Sequence, residues 1–509
     1  MMKGHSISRI ISLSLISGAL LILIQPPLSL FFLAYFALVP LFFLLKKGNL
    51  FISFMAGMIT GIVSYTGLLY WVVVAMNRYG GIDITLSFAI LLLLVFYLSL
   101  YTACFTVCVT YLYERFSIPL FLSAPCVWVL LEYLRGFALT GFPWSLLAYS
   151  QHNNLPFIQV ASVAGPYFIS YMIVAFNTII FAVIEMHFYK KASRVYFPAY
   201  LYIIVIAICF IASLIFGITN LHKKDEGTLN ATIIQGNIAQ DIKWDEASKI
   251  KTVRTYYMKT LETGRNTDLV IWPETAMPFV FEDEPYVKNY VTALPALLNT
   301  RLLFGTLSKG SGKRFYNATY VYERDGSLAG IYRKVHLVPF GEYTPLIEYF
   351  PFLQTLTAAG GDFISGEEGH APVTTGIGPI GILICYEGIF PYITNETVKK
   401  GARVLINITN DAWFGKTSAP FQHLAFYVFR AVETDRFILR AANTGISAII
   451  DPKGRIQAHT DIFKDAVLKG KFTMKDTTTF YVRYGDYFIL LIGIMLVLVI
   501  LVRLSRIYH

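Results

Sequence analysis

Charged residues are scarce in this sequence, and long apolar runs are confined to two parts of it. Only 15% of the 509 residues are charged, against about 25% in soluble globular proteins. The apolar runs lie in residues 8–218 and 485–505 and are missing from residues 219–480, so a single soluble domain does not account for the chain. The sequence predicts a membrane domain at 1–218, a soluble domain at 219–480, and a terminal span with its tail at 481–509.

Cysteine is also rare, and its positions exclude two kinds of site. Four of the five cysteines fall in apolar runs, where cysteine is usually a small buried hydrophobe: Cys104, Cys108, Cys126 and Cys209. Cys385 stands alone in the soluble segment. It has no partner there for an internal disulfide and no second thiol for a metal cluster. We predict neither a metal site nor a bound cofactor.

The net charge of +10 raises the question of a nucleic-acid partner. The basic residues lie mostly at the edges of apolar runs, however, and no basic run alternates with aromatic residues on one face. We therefore expect the lipid bilayer, and no nucleic acid, as a partner.

Eight apolar runs reach or come close to the length of about 20 residues that a bilayer-spanning helix needs. They are residues 8–24, 27–45, 50–76, 84–113, 117–135, 157–187, 194–218 and 485–505. We interpret the first run as a retained span rather than a signal peptide, because Gln25-Pro26-Pro27 leads directly into another apolar run with no good cleavage site.

The basic residues predict the orientation of these spans. With the N-terminus in the cytoplasm, the short outer loops carry only Arg78 and Arg135. The inner side carries Lys3, Arg9, Lys46, Lys47, Arg115, Lys190, Lys191, Arg194, Arg503 and Arg506. Seven spans then place residues 219–480 on the outer face of a bacterial inner membrane, which is the periplasm where a second membrane is present.

Two ionisable residues precede the aromatic connection at residues 136–156. Glu132 and Arg135 are three apart and can face each other on a helix. Ionisable groups at membrane depth often mark function, but a pair that only fixes the helix end explains them equally well. The sequence leaves both interpretations open.

The soluble segment alternates β-rich apolar stretches with helical or loop stretches. The apolar stretches are residues 231–234, 268–272, 302–305, 380–384 and 404–407. Such strands predict a sheet covered on both faces, and their alternation with helices predicts an α/β layered domain. Three of the stretches lead directly to polar or reactive residues, namely Glu274, Cys385 and Asn410. Reactive groups of α/β domains converge at such strand ends.

A cysteine, a glutamate and a lysine together can support nucleophilic catalysis. A nucleophilic cysteine such as Cys385 needs a base or a cation nearby to form its thiolate. Glu274, in Trp272-Pro273-Glu274, can act as that base if it is desolvated. Lys334 can supply the cation. Taken singly, each residue is equally well explained by core packing or by a solvated surface position as by catalysis.

Three motifs follow one another along the soluble segment: Trp272-Pro273-Glu274, Lys334 with Leu337 to Glu342, and Cys385-Tyr386-Glu387. In this order they resemble the nitrilase superfamily, whose catalytic triad is Glu-Lys-Cys on an α-β-β-α sandwich. The flanking motifs are Gln235-Gly236-Asn237 with Trp244, Pro339 to Tyr343, and Asn410 to Phe414. They resemble one branch, the apolipoprotein N-acyltransferases, which join eight spans to a periplasmic domain of this fold.

The resemblance implies a role for each matching residue. Cys385 is implied as the nucleophile, Glu274 as the general base and Lys334 as the group that stabilises the tetrahedral intermediate. Glu342, Glu387 and Tyr386 match positions that support the triad. Four further residues match positions near the site and are expected to bind substrate: Trp244, Trp413, Tyr343 and Asn410.

The resemblance also implies the reaction. An acyl chain passes from a phospholipid, with phosphatidylethanolamine as the implied donor, to Cys385 as a thioester. It then passes to the α-amine of a diacylglyceryl-cysteine at the N-terminus of a lipoprotein, the last step of lipoprotein maturation. Both substrates are membrane-anchored, so the site must open toward lipid. We interpret residues 345–363, with Gly360-Gly361 as a hinge, either as a mobile lid or as a plain surface helix pair.

Two other functions are compatible with parts of the sequence. A membrane-tethered amidase or nitrilase that acts on a small substrate would use the same triad with water as the second nucleophile, but a tether needs only one span. A transporter or receptor with a degenerate sensor domain would explain the spans. The intact triad argues against it, as does the lack of paired charges suited to an ion path in the spans from 8 to 135.

Overall fold

The computed structural model describes most of the chain in two compact units. The described residues are 6–45, 49–189, 196–223, 225–243, 246–312, 314–345, 347–349, 363–367 and 369–508. The first unit comprises Met1–Tyr70, Phe88–His222 and Tyr484–His509. The second comprises Trp71–Ser87 and Lys223–Arg483.

The first unit is helical. Its helices are Ile7–Leu23, Val39–Leu45, Leu50–Leu69, Ile84–Phe116, Leu120–Arg135, Leu155–Ile158, Ala161–Tyr189, Tyr196–Leu221 and Tyr487–Tyr508, of which the fourth begins in the second unit. Within the described ranges, five segments are long and apolar enough to cross a bilayer. They are Leu50–Leu69, Ile84–Phe116, Ala161–His187, Ala199–Leu221 and Tyr487–Arg506. Shorter apolar helices occupy Ile7–Leu23 and Phe31–Leu45.

Two of the expected spans are not continuous α-helices. The run 27–45 forms a short 3₁₀ helix at Phe31–Tyr35 and then an α-helix at Val39–Leu45. Pro40 is the second residue of that α-helix, where its missing N–H is not needed, whereas a helix entering from residue 36 would need it. The run 157–187 is kinked at Gly165, which has φ +72° and precedes Pro166.

Glu132 and Arg135 both bond to the backbone of the connection that follows them. Glu132 Oε1 accepts a hydrogen bond from the Leu147 N–H at 2.7 Å. Arg135 donates to the Trp144 carbonyl at 3.2 Å and also to the Tyr65 hydroxyl. Both side chains are buried. Of the two interpretations left open, these bonds favour the structural one, because they hold the aromatic connection at the end of the helix.

The second unit contains two β-sheets. Its strands are β1 (Leu229–Gln235), β2 (Leu269–Ile271), β3 (Met277–Val280), β4 (Arg301–Lys309), β5 (Phe315–Tyr322), β6 (Leu328–Arg333), β7 (Val373–Thr375), β8 (Gly378–Ile384), β9 (Val404–Thr409), β10 (Ile438–Ala442), β11 (Ala448–Ile450), β12 (Ile456–His459) and β13 (Ala466–Phe472). The first sheet has the order β13-β1-β2-β4-β5-β6, with β3 paired to β4. The second has the order β12-β11-β10-β9-β8-β7.

The sheets pack face to face with helices outside them. Ile233 and Ile271 of the first sheet share one core with Ile382 of the second. The adjacent residues Ile234 and Val270 point to the opposite face, as side chains do along a strand. There they pack against helices of the first sheet's outer layer. The helices of this unit are Trp71–Val74, Gln240–Lys243, Glu246–Thr263, Pro285–Thr292, Leu294–Leu298, Pro391–Lys399, Ala419–Thr434 and Phe480–Tyr484. The result is the predicted α-β-β-α sandwich.

Parallel strands at the centre of each sheet bring the motif residues to the sheet edges. In the first sheet β1, β2 and β4 are parallel. In the second sheet β8, β9 and β10 are parallel. Glu274 follows β2, Cys385 follows β8 and Asn410 follows β9. The carboxyl ends of parallel strands lie at the same end of a sheet, and each of these reactive or polar residues follows such a strand end.

A segment between two apolar helices belongs to the second unit, which the sequence did not indicate. Trp71 packs edge-on against Phe414 with ring centroids 4.8 Å apart. Tyr79 contacts Trp413 in the same way at 6.4 Å. These contacts attach the segment Trp71–Ser87 to the turn that follows Asn410.

Candidate active site

Cys385 occupies a sharp turn at the end of β8. Its φ is +52°, a left-handed conformation that is unfavourable for a residue with a Cβ and that surrounding contacts must hold. The Tyr427 hydroxyl donates a hydrogen bond to the Cys385 carbonyl at 3.0 Å. Gly388 permits this approach, since a Cβ there would lie 2.0 Å from the Tyr427 oxygen. Cys385 as a whole residue is half-buried in this turn.

The Glu274 carboxylate is buried and accepts one hydrogen bond on each oxygen. Oε1 accepts from the Asn317 amide at 2.7 Å, and Oε2 accepts from the Asn410 N–H at 2.8 Å. Gly305 on β4 lets the chain around Glu274 pack closely, because a Cβ there would lie 2.7 Å from both the Glu274 Cα and the Pro273 oxygen. Both donors fix the orientation of the carboxylate.

Lys334 follows β6 and forms an ion pair in the same cluster. Its Nζ lies 2.8 Å from Glu342 Oε2, and the Lys334 side chain is 1% exposed. Glu342 Oε2 also accepts from the Val338 N–H at 2.8 Å. The Asn317 amide, which bonds Glu274, donates to Glu342 Oε1 at 2.9 Å. One neutral amide therefore separates two carboxylates, and one ammonium supplies their countercharge.

Glu387 connects the segment after the lysine to the turn at the cysteine. Its Oε1 accepts from the N–H groups of Val335 at 2.8 Å and His336 at 3.1 Å. Its Oε2 accepts from the Ile384 N–H at 2.8 Å. Burial raises the pKa of Glu387 to about 7, although the backbone hydrogen bonds and the Lys334 charge oppose this rise. Glu387 thus sets the spacing between Lys334 and Cys385.

The charges of the cluster influence one another's protonation. Burial raises the pKa of Glu274, which Lys334 opposes and Glu342 reinforces. Burial and the Glu274 carboxylate raise the pKa of the Cys385 thiol, while Lys334 opposes this. Burial lowers the pKa of Lys334, but the Glu342 and Glu274 carboxylates outweigh burial and keep that pKa above its ordinary value. The resting site therefore pairs a protonated thiol with a strengthened carboxylate base and a fixed cation.

The predicted substrate-contact residues are distributed unevenly in the structure. Trp244 lies outside the described residues. Trp413 sits in the turn after Asn410 and contacts Tyr79. The Asn410 amide donates to Gln240 at 2.6 Å and its oxygen accepts from Asn443 at 2.9 Å. The contacts of Asn410 favour a role in holding the site over direct contact with substrate.

The other predicted aromatic residues lie on the lysine and cysteine segments. The Tyr343 carbonyl accepts a hydrogen bond from the Phe340 N–H at 2.8 Å, which closes the loop that carries Glu342. The Tyr386 ring packs edge-on against Phe390 with centroids 5.1 Å apart. Most of the suggested lid, residues 345–363, lies outside the described residues, so its mobility stays a prediction.

A buried charged network next to the Cys385 turn was not predicted from the sequence. Asp411 pairs with Arg440 at 2.7 Å and with His423 Nδ1 at 3.0 Å. Burial raises the pKa of Asp411, but the Arg440 charge, together with His423 and the hydrogen bond to Thr409, outweighs burial and lowers that pKa to about 2. His423 also hydrogen-bonds the backbone of Cys385. Through His423, the network thus helps to hold the strained turn at Cys385.

Two further polar residues of the site carried no signal in the sequence. Asn317 lies on β5, and Lys243 ends the short helix Gln240–Lys243. Both are buried, and both reach Glu274 across more than 30 residues of chain. Among the described residues, no group of three or more His, Cys, Asp or Glu side chains could hold a metal ion. The absence of a cofactor stays a prediction.

Two family models match the chain, one over each part. The apolipoprotein N-acyltransferase N-terminal domain matches residues 17–179, and the carbon-nitrogen hydrolase family matches residues 230–481. A protein of Geobacter metallireducens named apolipoprotein N-acyltransferase is 39% identical over 483 residues, which cover 94% of this chain and 92% of that protein. This chain belongs to the apolipoprotein N-acyltransferase family.

Other relatives agree in name and extent. The Pasteurella multocida apolipoprotein N-acyltransferase is 28% identical over 505 residues, covering 96% of this chain and 94% of that protein. Among solved structures, a carbon-nitrogen hydrolase from Helicobacter pylori G27 is 18% identical, covers 48% of this chain and 88% of that chain, and has a TM-score of 0.38. The two relatives and the family models confirm the prediction of a membrane acyltransferase with a nitrilase-superfamily domain. They favour neither the tethered amidase nor the transporter.

Proposed function

We propose that this enzyme transfers an acyl chain from a phospholipid to a lipoprotein through a thioester on Cys385. The observation that carries the proposal is the buried cluster of Glu274, Lys334 and Glu342 beside the cysteine turn. The Asn317 amide bonds both Glu274 and Glu342, and Glu342 pairs with Lys334. The charges of Glu274 and Lys334 both act on the Cys385 thiol. The cluster thus combines a nucleophile, a base and a cation, as covalent acyl transfer requires.

In the first half-reaction the Glu274 carboxylate takes the thiol proton as the Cys385 sulfur attacks the ester carbonyl of the phospholipid. The raised thiol pKa means that proton removal accompanies attack rather than preceding it. The tetrahedral intermediate then collapses, the ester C–O bond breaks, and the proton on Glu274 passes to the departing oxygen. The products are a lysophospholipid and an acyl thioester on Cys385.

Lys334 and a backbone N–H near Tyr386 hold the oxyanion of that intermediate. Lys334 is buried and charged before the reaction begins. A fixed charge in a water-poor site stabilises developing negative charge without having to reorient. Glu342 holds the Lys334 ammonium in place, and Glu387 holds the turn that carries Cys385.

In the second half-reaction the α-amine of a diacylglyceryl-cysteine attacks the thioester carbonyl. Glu274 accepts a proton from the amine, the C–S bond breaks, and the Cys385 sulfur regains a proton. An amide forms on the lipoprotein and the enzyme returns to its starting state. We assign Trp413, Tyr343 and Trp244 to substrate contact, and phosphatidylethanolamine as the donor.

Mass spectrometry of the enzyme isolated from membranes tests the chemistry directly. We expect a peptide containing Cys385 to carry the mass of a fatty acyl chain, and hydroxylamine to remove that mass, since it cleaves thioesters. Incubation with labelled phosphatidylethanolamine should add the labelled chain, whereas a lysophospholipid lacking that chain should not. An acyl group that resists hydroxylamine or sits on another residue would contradict the proposed intermediate.

We propose the location that the basic residues predicted. Residues 219–480 lie on the periplasmic side of the inner membrane, between a membrane domain at 1–218 and a terminal segment at 481–509. A position at the membrane surface suits the substrates, because an anchored lipid and an anchored lipoprotein meet only there. The inner-side excess of lysine and arginine supports the orientation.

Reporter fusions test that orientation. We expect a reporter that is active only in the periplasm to be active when fused near Lys313 and inactive when fused after Lys47. A cytoplasm-specific reporter at the same two positions is the control and should give the opposite pattern. If both reporters reverse, the direction of the spans is wrong.

A further inference from the structure

Lys243 is a buried lysine next to Glu274, the proposed base. The proposed mechanism gives Lys243 itself no role. Its side chain is fully buried. The ammonium donates to the Glu274 carbonyl at 3.2 Å and to the Thr275 hydroxyl at 2.6 Å. A buried ammonium is costly unless its hydrogen bonds or charge are used. Both of these bonds go to the turn that carries Glu274.

That turn is conformationally unfavourable without support. Thr275 has φ +45°, and a β-branched residue rarely adopts a left-handed conformation. Lys243 bonds the residues on both sides of the Glu274–Thr275 peptide link. These bonds hold the backbone from which the Glu274 side chain projects.

The same short helix also reaches the carboxylate end of Glu274. Gln240 lies three residues before Lys243, on the same helix face. Gln240 Oε1 accepts from the Asn410 amide at 2.6 Å. The Asn410 N–H in turn donates to Glu274 Oε2 at 2.8 Å. The helix Gln240–Lys243 therefore supports the base at its backbone and at its carboxylate.

Charge adds to this support. The ionisable groups that face Glu274 are Lys334, Glu342, Lys243 and the Cys385 thiol. Burial raises the pKa of Glu274, and the charges of Lys334 and Lys243 oppose the rise. Burial lowers the pKa of Lys243 to about 7, and Glu274 opposes that fall. Each group thus favours the charged form of the other.

We infer that Lys243 is a positioning residue, which holds the Glu274 turn and keeps the Glu274 carboxylate ionised for proton transfer from Cys385. The inference rests on the proposed role of Glu274 as the general base. It assigns Lys243 no contact with substrate. Its loss should therefore change the rate and pH dependence of acylation rather than the affinity for phospholipid.

Single-turnover acylation by labelled phosphatidylethanolamine, followed across pH, tests the inference. Without the Lys243 charge, Glu274 should hold its proton to higher pH. The acidic limb is the low-pH part of the rate profile, where the acylation rate rises with pH as Glu274 loses its proton. In Lys243→Met we expect this limb to move up by about one pH unit, so that acylation at a given pH within it is about tenfold slower. The phospholipid concentration for half-maximal rate should not change. Lys243→Arg keeps the charge, which acts on Glu274 without a direct bond between the two side chains, so the acidic limb should move up by less than in Lys243→Met.

Lys453→Met is the matched control. Lys453 is also buried, but it pairs with Asp435 at 2.8 Å. Its loss removes a buried ammonium from the same unit without touching Glu274. We expect the acidic limb to stay in place in this variant. A folded Lys243→Met protein with the wild-type pH profile would overturn the inference.

Two more variants cover the remaining outcomes. If Lys243→Met does not fold, Thr275→Val decides, since it removes only the hydroxyl acceptor. A smaller shift in the same direction supports the inference, and an unchanged profile refutes it. Glu274→Gln separates the inference from its premise. If the acidic limb survives in Glu274→Gln, the assignment of Glu274 as base fails. If the acidic limb disappears in Glu274→Gln but keeps its wild-type position in Lys243→Met, only the role of Lys243 fails.

Discussion

Cys385→Ala should abolish both thioester formation and transfer of the acyl chain to a lipoprotein. No other cysteine lies in residues 219–480 to take its place. Alanine keeps the Cβ that already occupies the left-handed turn at φ +52°, so the fold should survive. The measurement is transfer of a labelled chain from phospholipid to a diacylglyceryl peptide, together with mass analysis of the enzyme.

Cys385→Ser should retain at most a trace of activity. The surroundings that raise the thiol pKa, burial and the Glu274 carboxylate, act equally against ionising a hydroxyl, which is a far weaker acid. Cys104→Ala is the control, because Cys104 lies in the apolar helix Ile84–Phe116. Full transfer by Cys385→Ala, or loss of transfer in Cys104→Ala, would contradict the assignment of the nucleophile.

Lys334→Met should slow both half-reactions by about 10²–10³, the usual cost of removing one oxyanion donor. Methionine keeps much of the side-chain volume, so phospholipid binding should persist. The structure adds a second effect. Without the ammonium 2.8 Å from Glu342, two carboxylates face each other across Asn317. Glu274 then becomes harder to ionise, so the deficit should grow as the pH falls.

Lys334→Arg should not restore the activity. The Lys334 side chain is 1% exposed, and a guanidinium is larger and directs its donors differently from an ammonium. Lys309→Met is the control, since Lys309 forms an exposed ion pair with Asp283 at 3.1 Å and should be dispensable. Each half-reaction is followed separately in single turnovers. If Lys334→Met acylates normally and fails only in transfer, Lys334 binds the acceptor and the oxyanion role is wrong.

The cluster also explains why a raised thiol pKa is compatible with catalysis. A thiolate formed in advance would face the Glu274 carboxylate at close range. A neutral thiol beside a base with a raised pKa avoids that repulsion. In the proposed mechanism the proton moves only when the sulfur attacks, and Lys334 then offsets the charge that develops on the substrate oxygen.

The sequence by itself was sufficient to predict apolar helices able to span a membrane and an α/β fold in the second unit, and to select three candidate triad residues. Each of these is encoded locally. A span is a continuous apolar run, and Glu274 and Cys385 come directly after buried strands. Lys334 was recognisable only through the segment that follows it, Leu337 to Glu342. Such patterns are readable because neighbouring residues share one element.

Tertiary structure alone decided how these residues are held. Asn317 reaches Glu274 from 43 residues away, and Lys243 from 31. The Asp411–Arg440 pair spans 29 residues. A buried amide, lysine or arginine looks like a surface residue in sequence, because its partner is set by which strands become neighbours. The segment Trp71–Ser87 shows the same limit: its attachment beside Trp413 depends on packing between distant parts of the chain, which no local period encodes.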